Sequence, residues 1–189
     1  MILSQTSAER VLLLSDILTA ESQQLLLSLP KPNKVLDVTL PDNLDDLTIG
    51  ELFKFQQSAQ GGNMVDVIGC CAEVLLGRPI EKVLAHRADN VIGMVLWVSQ
   101  EVQRIGDLFR KVQAPPTPEA VQAGVDKLNF GAFGIVDWFA NRQHISDHDK
   151  VMNVPWVRVL ECMRIDNERS QFEQRLRDIL MSKHKHKSK

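Results

Sequence analysis

The chain of 189 residues is long enough for one domain, or for a domain with an added helical arm. Its apolar fraction of 44% and charged fraction of 24% are ordinary for a globular protein and argue against wholesale disorder. With three Trp, seven Phe, no Tyr and a net charge of −2, the composition lacks the basic, aromatic surface of a nucleic-acid-binding domain.

The charge is unevenly distributed along the chain. Residues 182–189 contain four lysines, two histidines and no acid, which leaves the rest of the chain at −6 because the whole carries −2. An acidic body is not typical of a duplex-DNA binder. Residues 182–189 are interpreted as a basic, disordered and solvated tail, and contact with nucleic acid or an acidic partner is the alternative role.

An N-terminal amphipathic helix is the first predicted element, over residues 1–29. It is expected to start near Ser7, a candidate N-cap, and to stop before Pro30. Its broad apolar stripe predicts that one face is covered, either by the body of the protein or by a groove on a partner. The stripe includes Val11, Leu14, Leu18 and Leu25.

A helical core with one short strand is predicted over residues 34–113. Residues 34–40 alternate, with Leu36, Val38 and Leu40 on one side, which is typical of a short strand or hairpin. Thr48-Ile-Gly-Glu51 then spells a capping box, which predicts a helix that fades at Gly61. Three more helices are predicted: from a cap at Asn63 to Gly77, from Pro79 to Leu84, and from a cap at Asp89 through Asn90 to Val112.

A C-terminal helical region is predicted over residues 117–181, after a candidate boundary at Pro115-Pro116. Thr117 is a candidate cap for a helix that runs to about Leu128. Ser146 is a candidate cap for a short turn through Val151. Pro155 begins a long last helix whose second half carries interspersed charges of both signs, a surface that suits pairing with a copy of itself or with another long helix.

Four aromatic residues lie between Phe130 and Phe139. Such a cluster is more often core than binding site, so core is the preferred interpretation and a partner surface the alternative. The aromatic residues are Phe130, Phe133, Trp138 and Phe139.

Candidate catalytic and metal sites are weak. His144 and His148 are four residues apart, a spacing that would place both on one helix face, but Ile145 stands where zinc-protease helices carry a glutamate. These histidines are interpreted as part of a polar loop. Acids around them, Asp147 and Asp149, are explained by the preference of helix starts for acids.

The three cysteines have no metal-ligand spacing. Cys70 and Cys71 are adjacent, which disfavours a mutual disulfide, and position 71 falls on a predicted apolar stripe. Cys70, Cys71 and Cys162 are therefore predicted to be reduced and largely buried. No signal peptide and no membrane span are evident, so a cytoplasmic protein is expected. Because each candidate catalytic and metal site is weak, no enzymatic activity and no cofactor are expected.

Two segments resemble the tail assembly chaperones and baseplate-hub assembly proteins of tailed bacteriophages. Residues 40–52, LPDNLDDLTIGEL, resemble the opening of those proteins, a proline and a short acidic turn before Leu-Thr-(Ile/Leu)-Gly. Residues 128–139, LNFGAFGIVDWF, resemble their later Phe-Gly-x-Phe element, which a helix like 155–163 follows. The resemblance implies small helical proteins that begin with a strand and a capped helix.

The function implied by this resemblance is assembly. Such proteins bind a tape-measure or baseplate-hub protein and shield its apolar surface in the host cytoplasm. A mainly α fold, a homo-oligomer and a long helical partner are expected. The alternatives are a virion structural component and a small nucleic-acid-associated regulator that uses the basic tail. The residues predicted to bind the partner protein are Leu14, Leu18, Leu25, Phe53, Trp138 and Trp156.

Overall fold

A computed structural model describes residues 5–13, 20–113 and 116–187 of the chain. The described residues are mainly helical, with a small two-stranded sheet and a long C-terminal helix, as the sequence predicts. The α-helices are α1 Ala8–Leu13, α2 Ala20–Leu27, α3 Ile49–Gln60, α4 Met64–Cys71, α5 Ile80–Leu84, α6 Ala88–Val112, α7 Pro118–Gln122, α8 Gly131–Gln143, α9 His148–Met152 and α10 Trp156–Lys187.

The chain divides into two compact units, Met1–Ile105 and Gly106–Lys189. The division falls within α6. The domain boundary expected at Pro115-Pro116 stays a prediction, because Pro115 lies outside the described residues. α10 continues through Lys187 and so includes most of the stretch for which a disordered tail is expected.

The strand signal corresponds to a tight antiparallel hairpin. β1 Lys34–Val35 pairs with β2 Val38–Thr39, in the register Lys34 with Thr39 and Val35 with Val38. Of the two expected forms, a short strand or a hairpin, the hairpin is confirmed, because the chain reverses at Leu36, which has a φ of 53°. A left-handed leucine is uncommon, and no glycine or proline marks this turn in the sequence.

The predicted capping box at α3 is confirmed. The backbone N–H of Glu51 donates to Thr48 Oγ1 at 3.2 Å, and the backbone N–H of Thr48 donates to Glu51 Oε2 at 2.8 Å. Asn63 likewise caps α4, since its side chain accepts from the N–H of Val65 at 3.0 Å. The helix that follows Asn63 ends at Gly77 as expected, but its last turn, Ala72–Leu76, is a π-helix.

The start of α6 differs from the prediction. The helix begins at Ala88, whose backbone N–H donates to the carbonyl of Thr6 at 2.8 Å. Asp89 is therefore not the cap. It lies in the first turn, where its carboxylate binds the guanidinium of Arg87 at 2.6 Å and suits the positive end of the helix dipole.

Two short helices in the second unit also differ from the prediction. α7 ends at Gln122 rather than near Leu128, because Gly124 adopts a φ of 85° that an α-helix cannot continue. The cap of α9 is Asp147, not Ser146, since the Asp147 side chain accepts from the N–H of Asp149 at 3.0 Å. The cap of α7 at Thr117 is confirmed.

The core of the first unit is built around α6. Its predicted stripe is buried at Val91, Val95, Val98 and Ile105, and each buried aliphatic side chain contributes about 1.5–3 kcal/mol relative to exposure. Gly93 allows the chain to pass very close, since a Cβ at this position would lie 2.5 Å from the carbonyl oxygen of Pro30.

The second unit has its own smaller core. Trp156, at the start of α10, is almost fully buried, and its ring lies 6.1 Å from that of Phe109 at an interplanar angle of 46°. Phe139 from α8 and Val151 from α9 are also buried. These residues anchor the beginning of α10, while its later part leaves the core.

Candidate protein-binding surfaces

The distal half of α10, residues 168–183, is exposed at every position. Most helices in proteins are stabilised by burying one face against the rest of the molecule. The distal half of α10 buries no face against the other described residues, so its surface is accessible to a partner.

Four apolar side chains form one line along the distal half of α10. At about 100° per residue, the spacing of these positions places all of them within one face of the helix. Met181 is also apolar and 63% exposed, but its spacing from Phe172 places it on the opposite face. The four residues, called the α10 stripe, are Phe172, Leu176, Ile179 and Leu180, and their exposed fractions range from 43% to 58%.

Basic residues flank the α10 stripe. Arg169 and Lys183 lie on the same face at its two ends, three residues before Phe172 and four after Ile179. Residues 168–187 contain six Lys and Arg against three acids, besides two histidines. Residues 168–187 therefore carry a net positive charge.

A second apolar surface lies in the first unit, where α1, α2, α4 and α6 leave a groove. Val11 is buried at its base, and the rim is exposed at Leu27 (71%) and Met64 (40%). The groove has about 80 Å³ of free space and only apolar side chains in its lining, so ordered water has no polar partner there. The residues that line this surface, the first-unit groove, are Val11, Leu12, Leu26, Leu27, Met64, Ile92 and Leu96.

The aromatic cluster of residues 130–139 is only partly core, contrary to the preferred interpretation. Phe139 is buried, but Phe130 and Phe133 are 71% and 62% exposed. Leu128 and Val121 are exposed nearby in the sequence. The beginning of α8 therefore presents aromatic side chains to solvent, a feature that marks interaction surfaces when it forms a contiguous patch.

The predicted binding residues of the N-terminal helix are only partly described. Leu14 and Leu18 lie outside the described residues. Leu25, in α2, is 55% exposed and accessible to a partner. Val11, by contrast, packs in a buried cluster with Ala88 and Ile92, so the helix uses part of its stripe internally.

The other three predicted binding residues are less accessible. Phe53 and Trp138 are half-buried, and the Trp138 ring lies 6.1 Å from that of Phe139. Trp156 is 2% exposed, so its prediction as a partner-binding residue is corrected: its contacts are internal. The tryptophan follows Pro155 at the start of a helix, and the periodicity of the sequence does not distinguish a covered face from an open one.

The exposed apolar side chains of α10 are not among the binding residues predicted from the sequence. Phe172, Leu176 and Ile179 are recognisable as apolar positions of the last helix, and their spacing of four and three residues was the available signal. Leu27 and Met64 line one groove only because four helices pack together, so no local pattern in the sequence indicates this groove.

The histidine pair does not converge on a site. His144 ends α8 with a φ of 55°, whereas His148 begins α9. The His148 ring packs 5.1 Å from that of Phe133, and its Nε2 lies 3.5 Å from Asp137 Oδ1. Within residues 5–13, 20–113 and 116–187, no group of three His, Cys, Asp or Glu is arranged to hold a metal ion.

The cysteines are free thiols, as predicted, and two of them are buried. Burial raises the pKa of Cys71, and it also raises that of Cys70, although the neighbouring Ser58 hydroxyl acts in the opposite direction. A raised pKa keeps a thiol protonated and unreactive. Cys162 is only half-buried, and its Sγ accepts from Arg142 Nη1 at 3.1 Å, so the prediction of burial is less complete there.

No protein-family model matches the chain, and comparisons with curated proteins and with solved structures find no significant match. No helix in the part of the chain that the structure describes is both long enough and apolar enough to cross a membrane.

Proposed function

We propose that this chain is a non-enzymatic assembly factor that binds a long helical partner protein through the α10 stripe. The observation that carries the proposal is an uncovered helix, residues 168–183, with four apolar side chains on one face. Apolar surface arranged along one helical face is what helix-in-groove and coiled-coil partners recognise.

Burial of the stripe would supply the driving force for binding. Covering one large apolar side chain contributes about 1.5–3 kcal/mol before the entropic costs of association are subtracted. The beginning of α10 is held by the buried Trp156, so the exposed part projects from a fixed base. A partner helix along the stripe would also bury part of its own apolar surface and so be kept from aggregating.

The partner that we propose is a tape-measure or baseplate-hub protein of a tailed bacteriophage. The support is the resemblance of residues 40–52 and 128–139 to phage tail assembly chaperones, together with the capping box that opens α3. A role as a virion structural component, in the neck, baseplate or capsid, uses the same stripe and is distinguished by whether the protein remains in purified particles.

Isolation of the tagged, full-length chain from the cells that naturally make it tests the proposal. Ile179→Glu places a charge in the stripe, whereas Met181→Glu places the same charge on the opposite face of the same exposed helix. We expect one identified helical protein to accompany the wild type and Met181→Glu and to be lost with Ile179→Glu. Equal recovery with Ile179→Glu would reject the stripe as the binding surface.

A nucleic-acid-associated role is the second candidate, and the basic excess of residues 168–187 favours it. Binding through lysines and arginines releases counterions and weakens steeply as salt is raised. Fluorescence anisotropy with a labelled duplex, for the full chain and for a variant that lacks residues 182–189, tests this candidate. Salt-dependent binding that is lost on truncation would support it, and no binding at low salt would reject it.

A further inference from the structure

The first-unit groove and the α10 stripe are complementary in size and chemistry. The groove offers about 80 Å³ lined only by apolar side chains, which suits one large aliphatic or aromatic side chain. The stripe presents Phe172, Leu176, Ile179 and Leu180 from a projecting helix. The stripe and the groove rim, Leu27 and Met64, are exposed within one copy of the chain.

The elements that carry the two surfaces have net charges of opposite sign. The four helices that line the groove, α1, α2, α4 and α6, contain six acids and four bases. Residues 168–187 carry six Lys and Arg against three acids.

The same contrast holds for the whole units. Residues 1–105 contain 13 acids and eight bases, whereas residues 106–189 contain 11 acids and 14 bases. Opposite fields of this kind steer association and select the orientation of the partners.

We infer that the α10 stripe of one copy binds the first-unit groove of a second copy, so that the chain associates head to tail. The inference rests on the proposed function in that both use the α10 stripe for binding. Here the stripe is bound by a second copy of the chain. Because the two contacting surfaces differ, the contact is heterologous: a dimer retains one open groove, on the copy that supplies its stripe, and one open stripe, on the other copy. Such a contact forms a ring if the rotation closes and a growing chain if it does not.

Sedimentation velocity of the full chain at a series of concentrations tests the inference. The wild type should associate as concentration rises, and raising the salt from about 0.05 M to about 0.5 M should weaken the association because it screens the opposite charges. Ile179→Glu in the stripe and Leu27→Glu at the groove rim should each weaken the association at least about tenfold, because each buries an unpaired carboxylate. Both positions are exposed, so both variants should keep the wild-type circular dichroism and melting midpoint.

Mixing the two variants distinguishes head-to-tail association from pairing of two stripes. Leu27→Glu retains an intact stripe and Ile179→Glu an intact groove. We therefore expect each variant alone to be monomeric and their mixture to form a dimer with one copy of each. Met64→Glu, on the other side of the groove, should behave as Leu27→Glu does, and Met181→Glu should associate as the wild type does.

Several outcomes would overturn the inference. Leu27→Glu and Met64→Glu that associate normally would point to stripe-to-stripe pairing, and a mixture of Leu27→Glu and Ile179→Glu that stays monomeric would exclude the head-to-tail contact. A monomeric wild type would also overturn it. If the stripe still recruits another protein from the cell in that case, the proposed function stands and only the self-association fails.

Discussion

The carboxylate of Glu101 in α6 accepts a hydrogen bond from the backbone N–H of Leu44, 57 residues earlier, at 3.1 Å. The same carboxylate accepts from Arg104 Nη2 at 2.8 Å, and that guanidinium nitrogen also donates to Asp45 Oδ1 at 2.5 Å. The acidic turn before α3 is thus attached to α6 by a partly buried network. Asp45 of this turn therefore serves the fold.

Replacing Glu101 by Ala is expected to destabilise the first unit. The change removes an acceptor for the Leu44 N–H and a partner of Arg104, and the loss of a charged hydrogen-bond partner in a partly buried site costs about 1–3 kcal/mol. Urea unfolding measures the difference in the free energy of unfolding. Gln100→Ala, an exposed neighbour in the same helix, is the control and should stay within about 0.5 kcal/mol of the wild type.

The contribution of Glu101 should depend on pH. The hydrogen bond from Arg104 and, to a smaller extent, that from Leu44 lower the pKa of Glu101 in the folded protein. The stabilisation is therefore fully present above the unfolded-state pKa, about 4.3, and is lost as the pH falls through the folded-state pKa. The difference in unfolding free energy between the wild type and Glu101→Gln should shrink below about pH 4. A difference that stays constant down to about pH 3 would contradict this assignment.

Two threonine caps of the same chemistry should differ in their effect on stability. Thr48 caps α3, which contributes Leu52 and Phe55 to the core, so Thr48→Ala should cost about 1 kcal/mol. Thr117 caps α7, which has no buried residue, and Thr117→Ala should leave the global unfolding free energy nearly unchanged. Thermal melts of the two variants compare them directly, and equal shifts would show that α7 is more tightly coupled to the fold than its exposure indicates.

Two glycines of α6 should respond oppositely to alanine. Gly93→Ala would place a Cβ 2.5 Å from the Pro30 carbonyl oxygen, which forces the backbone to move and should destabilise the protein by about 1–3 kcal/mol. At Gly106 the nearest atom to an added Cβ is Arg110 Nη1 at 3.7 Å, so Gly106→Ala should stabilise by about 0.5–1 kcal/mol through helix propensity. Chemical denaturation of both variants checks the signs, and a Gly93→Ala variant as stable as the wild type would refute the close contact.

Local chemistry in the sequence was sufficient to predict most helix boundaries. The caps at Thr48, Asn63 and Thr117 were identified because each pairs a side-chain oxygen with a nearby orphan N–H. The turn at Leu36 escaped because a left-handed leucine has no local signature, and the α6 start escaped because its first N–H binds the distant Thr6 carbonyl.

Surfaces were harder to predict than boundaries. Apolar periodicity identifies a face of a helix but not whether that face is covered, which is why Trp156 was expected at a partner and is buried. The same limit applies to Phe130 and Phe133, for which the sequence favours the core although both are exposed. The first-unit groove depends on the packing of helices from three separate parts of the sequence, α1 with α2, α4, and α6.

Photo-crosslinking from within the exposed helix is the most direct measurement of whether the α10 stripe binds protein. A photoreactive phenylalanine analogue is placed at Phe172 in one variant and at Met181 in another, and the full chain is irradiated in the cells that naturally make it. We predict strong crosslinks from position 172 to an apolar surface of a partner, either a helical segment of another protein or the groove of a second copy, and few from position 181. Equal crosslinking from both positions, or none from position 172, would contradict the proposal that the stripe is a binding surface.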